Sequence, residues 1–155
     1  FDQSVIKWRL SCAEQRPAQI TSLNELRTAV EPVAALLAAS HATPAQSARL
    51  LELAELLVNL SEAGAGNTQE FLDADEEFHT LILHASGNEM FSTLAEPIMH
   101  VLEGRTRYGI MPDDPSVPAM RIHVDLAKAI SDGDASASEA ASRDLLTGIK
   151  TFLAI

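Results

Sequence analysis

The chain has 155 residues, and its 22 acidic and 11 basic side chains give a formal net charge of −11. A surface this acidic repels nucleic acid and anionic lipid, so the composition excludes direct DNA binding by this segment. A single cysteine, Cys12, excludes an internal disulfide and fits the reducing cytoplasm, and no apolar run is long enough to span a membrane.

The first twenty residues allow two interpretations, a short helix over "SVIKWRL" or an extended arm, with Pro17 as the terminator of either. The next segment carries a capping-box pattern at Ser22–Glu25, which predicts a helix start. Pro32 lies inside the apolar stripe that follows, and it predicts a kink or a break near Glu31.

Further helices are predicted from start and stop signals. Thr43 followed by Pro44 is typical of a helix start, Asn67 opens a helix that stops at Gly87, and Asp134 caps the last one. A fourth helix is predicted from about residue 89 to 105 with a bend at Pro97, and the loop "MPDDPSVP" separates it from a fifth over about 120–130. Hydrophobic residues make up 46% of the chain and aromatic residues only 5%, which favours helices over a sheet. We therefore predict an all-α fold, an antiparallel bundle of six or seven helices over residues 21–155 with residues 1–20 as a preceding arm.

One helical segment, "FLDADEEFHTLILHASGN", places a carboxylate and an imidazole near its apolar stripe. Asp75 and His79 are four residues apart, so both side chains lie on one face and are able to contact the same object. The alternative is a solvated surface pair or a core histidine with an ordinary partner. His123 lies on or beside the inward stripe of the fifth helix and offers a third group. Together the three side chains form an oxygen and nitrogen ligand set that suits zinc, manganese, nickel or iron and leaves coordination positions open.

Arginines on neighbouring helices are candidates for recognising a carboxylate ligand at such a site. Arg27, Arg105 and Arg107 are the best placed, since a guanidinium pairs with a carboxylate through two parallel hydrogen bonds. The alternative for each is a surface ion pair, which an acidic chain readily supplies. From the sequence, Arg27→Ala is expected to weaken ligand binding and to leave the fold intact.

Several segments resemble one family, the C-terminal effector-binding (FCD-type) domain of FadR-subfamily regulators in the GntR transcription-factor family. The similar stretches span most of the chain: "FDQSVIKW", "LNELRTAVEPVAALLAA", "DADEEFHTLILHASGN" and "RIHVDLAKAISDGDASAS". The resemblance implies a helical domain that binds a small carboxylate effector, dimerises with a second copy, and follows a winged-helix DNA-binding domain that lies outside this sequence. It also implies that operator DNA is contacted only through that other domain. The first stretch is similar to members that respond to sugar acids.

The resemblance implies a metal held by one aspartate and three histidines, and Asp75, His79 and His123 match three of those ligands. Arg27 matches an arginine that faces the pocket. The fourth ligand differs, because the position where the family has histidine is Leu145. Leucine cannot ligate, and the neighbouring Asp144 points about 100° away around the helix. Three interpretations stay open: a three-ligand site completed by effector or water, a shifted register that uses Asp144, or no divalent metal.

The sequence therefore predicts a sensing module rather than an enzyme. Two alternatives come from other classes. Two histidines and one carboxylate are also the ligand set of non-haem iron oxygenases, although no separate general base or nucleophile with a supporting partner is evident. A dimerisation module with a vestigial pocket would account for Leu145.

Overall fold

The computed structural model describes residues 2–108 and 115–153, and the regular secondary structure of this part of the chain is entirely helical, without a strand. In chain order the helices are α1 (Gln3–Ser11), α2 (Arg16–His41), α3 (Pro44–Glu62), α4 (Gln69–Ala85), α5 (Glu89–Ser92), α6 (Ala95–Arg107), α7 (Val117–Ser131) and α8 (Ala135–Leu153). The predicted all-α bundle is confirmed, with seven longer helices and the single turn α5 within the described residues. The first half of the loop "MPDDPSVP" lies outside them, because residues 109–114 are not described, and its last two residues belong to α7.

The long helix α2 is the centre of the bundle, since it contacts α1, α4, α6, α7 and α8. Three alanines, Ala34, Ala35 and Ala38, are fully buried on its inner face. Their small side chains let the neighbouring helices approach closely. The main core around them is built from leucine, isoleucine and phenylalanine side chains of α3, α4, α6, α7 and α8.

The first helix rests on a smaller apolar group, separate from the main core. We call it the α1 cluster; it consists of Ile6, Leu10, Ile20 and Leu23, with the partly buried Tyr108 against it. The junction between α1 and α2 is held by Arg16, whose Nε donates a hydrogen bond to the carbonyl of Leu10 at 2.7 Å.

Two of the predicted helix starts are confirmed by side-chain caps. Thr43 and Gln46 form a reciprocal capping box at α3, in which each side chain accepts a hydrogen bond from the other residue's backbone N–H. Asp134 Oδ1 accepts from the backbone N–H of Ala137 at 2.9 Å and so caps α8. Both caps are predictable from the sequence because each hydrogen bond joins residues only three apart.

Other predicted boundaries are wrong. The helix predicted to start at Ser22 begins at Arg16. Pro17, predicted to end the first segment, stands instead in the first turn of α2, where a missing N–H costs nothing. The helix also continues through Pro32 without a break. In α4 the capping residue is Thr68, whose hydroxyl accepts from the N–H of Phe71, rather than Asn67.

The end of α3 and the turn that follows it pack tightly against Pro115, which lies just before α7. Ser61 Oγ donates to the carbonyl of Pro115 at 2.5 Å. At Gly66 the pyrrolidine ring of Pro115 occupies the space that a Cβ would need. This contact fixes the start of α7, the helix that carries His123.

Within the residues that the structure describes, none of the helices has both the length and the apolar character needed to cross a membrane.

Candidate functional site

Helix α4 turns Asp75 and His79 into the interior of the bundle. Both are buried, with 7% and 3% of their surfaces exposed. His79 Nε2 lies 3.4 Å from Asp75 Oδ1, as the spacing of four residues predicts. The pair is therefore not a solvated surface pair.

Helix α7 brings His123 to the same carboxylate. His123 is 3% exposed, and its Nε2 lies 3.4 Å from Asp75 Oδ1. One ligand atom from each of Asp75, His79 and His123 lies within 4.8 Å of the other two. We call these three residues the triad. Neither ring nitrogen of His123 makes a hydrogen bond to any described residue, so no such residue occupies its lone pair.

An aromatic ring closes one side of the triad. Phe78 is fully buried, and its ring packs edge-on against both imidazoles, with centroids 5.6 Å from His79 and 5.0 Å from His123. The ring fixes the orientation of the two imidazoles and keeps water from that side.

Helix α2 supplies a buried ion pair behind the triad, which sequence reasoning missed in part. Arg27 is fully buried and holds Glu31 through two contacts, Nε to Oε1 at 2.5 Å and Nη2 to Oε2 at 3.3 Å. Glu31 Oε2 in turn lies 2.9 Å from His79 Nδ1. The sequence predicts Arg27 as a ligand-recognition residue, whereas it marks Glu31 only as the place of a kink or break before Pro32. Its spacing of four from Arg27 was the available signal.

The contact with Glu31 determines which nitrogen of His79 faces the triad. When Nδ1 carries its proton and donates it to Glu31, Nε2 has a free lone pair that points at Asp75 and His123. Carboxylate–histidine pairs of this kind orient the imidazoles that bind metals. The arrangement therefore fits a divalent cation held by Asp75 Oδ1 and the two imidazole nitrogens.

Both buried carboxylates are ionised at neutral pH. Burial opposes ionisation of Glu31, but the charge of Arg27 and the nearby His79 lower its pKa to about 2. Burial likewise opposes ionisation of Asp75, yet the imidazoles of His123 and His79 hold its pKa well below the usual value. For His79, burial acts against the charged form, but Glu31 outweighs it and the pKa is raised. A proton and a metal ion therefore compete for His79 Nε2.

The remaining predicted site residues lie elsewhere or lack a described side chain. Asp144 is exposed to solvent, and Leu145 is buried in the main core. Arg107 is exposed and lines a groove of about 330 Å³ between α1 and α6. The side chain of Arg105 lies outside the described part of the structure. Asp144, Leu145 and Arg107 do not join the triad.

The other histidines separate clearly from the triad. His84 is exposed, as its position five residues after His79 predicts. His41 is exposed at the end of α2, where its Nδ1 lies 2.9 Å from the carbonyl of Leu37. His100 is buried on α6.

Comparison with known proteins connects this geometry to one domain family. The family model of the FCD domain matches residues 22–148. A galactonate operon transcriptional repressor of Escherichia coli (strain K12) is 27% identical over 147 residues, which are 94% of this chain and 62% of the repressor. The chain thus spans less than two thirds of that relative's length.

Solved structures share the fold. E. coli McbR/YncC superposes with a TM-score of 0.72 at 21% identity, covering 88% of this chain and 65% of that one. Streptococcus agalactiae GntR superposes with a TM-score of 0.70 at 23% identity, covering 85% of this chain and 58% of that one. At these identities the two structures establish the architecture alone.

Proposed function

The chain belongs to the FCD domain family, and on that premise we propose that it is the effector-sensing and dimerisation module of a bacterial GntR-type transcriptional regulator. In this proposal a small carboxylate binds inside the bundle and favours one arrangement of two copies. Operator DNA is contacted through a separate domain. Effector coupling of this kind is typically about 1–3 kcal/mol.

The observation that carries the proposal is the inward-facing triad. A buried carboxylate and two imidazoles have no structural need to converge in an apolar core, since burying such groups costs free energy unless they are paired. We propose that Asp75, His79 and His123 hold a divalent cation, zinc, nickel or manganese, with Glu31 orienting His79. When bound, such a cation supplies a positive charge that attracts the carboxylate of an effector. With Leu145 at the fourth position, the effector or water completes the coordination.

The proposed effector class is a sugar acid. The curated relative is named for a galactonate operon, and galactonate is a six-carbon polyhydroxy acid. A triad with open coordination positions accepts carboxylate and hydroxyl oxygens, which such acids supply in adjacent positions.

A first experiment tests the triad with a matched pair of histidine variants on one helix. Thermal unfolding of the EDTA-treated protein is followed with and without zinc. Zinc is expected to raise the Tm of the wild type and of His84→Ala, whose side chain is exposed, and to leave that of His79→Ala unchanged. An equal zinc shift in all three proteins would remove His79 from the metal site. Elemental analysis and native mass spectrometry of the purified protein would identify the metal and the dimer.

A second experiment tests the effector. A ligand present at 100 times its Kd adds about 2.7 kcal/mol to the free energy of unfolding, so galactonate and other sugar acids are expected to raise the Tm measurably. Absence of any shift across sugar acids would favour a dimerisation module with a vestigial pocket. Oxygen consumption with Fe²⁺ and 2-oxo acids would instead favour the iron-enzyme alternative; we expect none, since the curated relative is a transcriptional repressor.

A further inference from the structure

A buried asparagine has no hydrogen-bond partner for either polar atom among the described residues. Asn24 lies on α2, is 6% exposed, and neither its Nδ2 nor its Oδ1 makes a hydrogen bond to any described residue. An amide with both groups unpaired is unfavourable in a protein interior, and buried polar groups are nearly always bonded to protein, water or ligand.

A second unpaired group lies one turn further along the same helix. Arg27 uses Nε and Nη2 on Glu31, with Nη2 also 3.3 Å from His79 Nδ1, while its Nη1 is buried and has no partner among the described residues. Residues three apart share a helix face. Asn24 and Arg27 therefore present three unpaired polar atoms to the interior from one face of α2.

These atoms have a defined chemical complement. Arg27 Nη1 is a cationic donor, which a carboxylate oxygen satisfies, and the other arm of the fork is already taken by Glu31. The amide of Asn24 offers one donor and one acceptor. A hydroxyl group is both a donor and an acceptor, whereas an alkyl chain satisfies neither atom.

We propose that Asn24 is a specificity-determining residue that hydrogen-bonds a hydroxyl group of a hydroxy-carboxylate whose carboxylate accepts from Arg27 Nη1. This assignment rests on the proposed sensing function and adds to it the residue that distinguishes hydroxylated acids from plain fatty acids. A site built to hydrogen-bond a hydroxyl strongly rejects an analogue without it, because its own polar groups are then left unpaired.

The test compares two six-carbon carboxylates, galactonate and hexanoate, by calorimetric titration of the protein as purified. The wild type is expected to bind galactonate at least tenfold more tightly than hexanoate. Asn24→Leu is expected to weaken galactonate binding by about tenfold and to leave hexanoate binding no weaker. Asn59→Leu, the same substitution at an exposed position of α3, serves as the control and is expected to match the wild type.

The stability of the ligand-free protein gives an independent readout. If Asn24 is unpaired, Asn24→Leu removes two unsatisfied polar atoms at similar volume, and its Tm without ligand is expected to be equal to or above that of the wild type. A clearly lower Tm would mean that Asn24 is bonded within the protein or to ordered water, and would overturn the assignment.

The outcomes separate the two proposals. Galactonate binding that is unchanged in Asn24→Leu overturns the role of Asn24 and leaves the sensing function standing. A wild type that binds neither acid overturns the sugar-acid function and the assignment with it, whatever the Tm of the variant.

Discussion

The guanidinium of Arg27 has a structural role, independent of any ligand, because it pairs with a buried carboxylate. It is fully buried and neutralises Glu31, which is itself 3% exposed. Arg27→Ala is therefore expected to leave a buried carboxylate unpaired and to lower the free energy of unfolding by about 3–5 kcal/mol, as measured by urea denaturation. This expected loss of stability replaces the expectation from the sequence that Arg27→Ala leaves the fold intact.

An exposed arginine provides the control for that experiment. Arg49 pairs with Glu77 at 2.6 Å, but half of its side chain is exposed. Arg49→Ala is expected to cost below about 1 kcal/mol, because solvent screens exposed pairs. Equal losses in the two variants would show that the ion pair of Arg27 is not stabilising beyond a surface contact.

The inward direction of the triad side chains is predictable from the sequence, but the contact of Glu31 with His79 is not. Asp75 and His79 fall beside an apolar stripe at helical spacing, and His123 falls beside another. Glu31 meets His79 across 48 residues of sequence. No local pattern encodes that pairing, and an i,i+4 pair of Arg27 with Glu31 is as typical of a solvated helix face as of a core.

At the scale of helices, the packing of α4 against α6 brings carboxylates together. Glu76 of α4 is partly buried, and its Oε1 has no hydrogen-bond partner among the described residues. Burial together with the charges of Glu103, Asp73 and Asp75 raises its pKa to about 7. The folded state thus binds this proton more tightly than the unfolded state, whose value is near 4.5.

The sign of the pH dependence follows from that difference. Between pH 4.5 and 7 the contribution of Glu76 to stability falls as pH rises, and above pH 7 the loss is constant. Glu76→Gln is expected to leave stability unchanged near pH 4.5 and to raise it by about 1–2 kcal/mol at pH 8, after discounting for solvent screening. Urea denaturation at both pH values, with EDTA present, measures it. Glu55→Gln, an exposed position of α3, is the control; a pH-independent gain in Glu76→Gln would contradict the prediction.

The close packing of the turn between α3 and α4 predicts that a larger side chain there lowers stability. A Cβ at Gly66 meets the rigid ring of Pro115, so Gly66→Ala is expected to lower the free energy of unfolding by about 1–3 kcal/mol in thermal denaturation. Gly148 of α8 has open space around it, and Gly148→Ala is expected to stabilise by about 0.5–1 kcal/mol through helix propensity. A stabilised Gly66→Ala would mean that Pro115 moves away at little cost.

Helix identities were easier to predict than helix ends. Thr43 and Asp134 cap their helices through side chains within three residues, so their signals survive folding. Ser22 carries the same kind of pattern, but it lies inside α2, because packing of Ile20 and Leu23 on α1 extends the helix towards Arg16. Contacts between distant segments override a local cap whenever they bury more apolar surface.

The net charge of the whole chain predicts that this domain does not bind DNA by itself. At −11 the domain is expected to show no binding to a labelled DNA duplex in fluorescence anisotropy at 50 mM salt, where electrostatic attraction is strongest. Binding with a Kd below about 10 µM under these conditions would contradict the division of labour in which another domain contacts the operator.

The α1 cluster has a consequence for how the molecule opens. Ile6 and Leu10 form this cluster with Ile20, Leu23 and Tyr108, and they are not part of the main core. Detachment of the first nine-residue helix would leave the main core closed, so it costs much less than melting the bundle. Amide hydrogens of α1 should then exchange with deuterium well before those of α4 and α7. We therefore expect α1 to detach while the rest of the bundle stays folded.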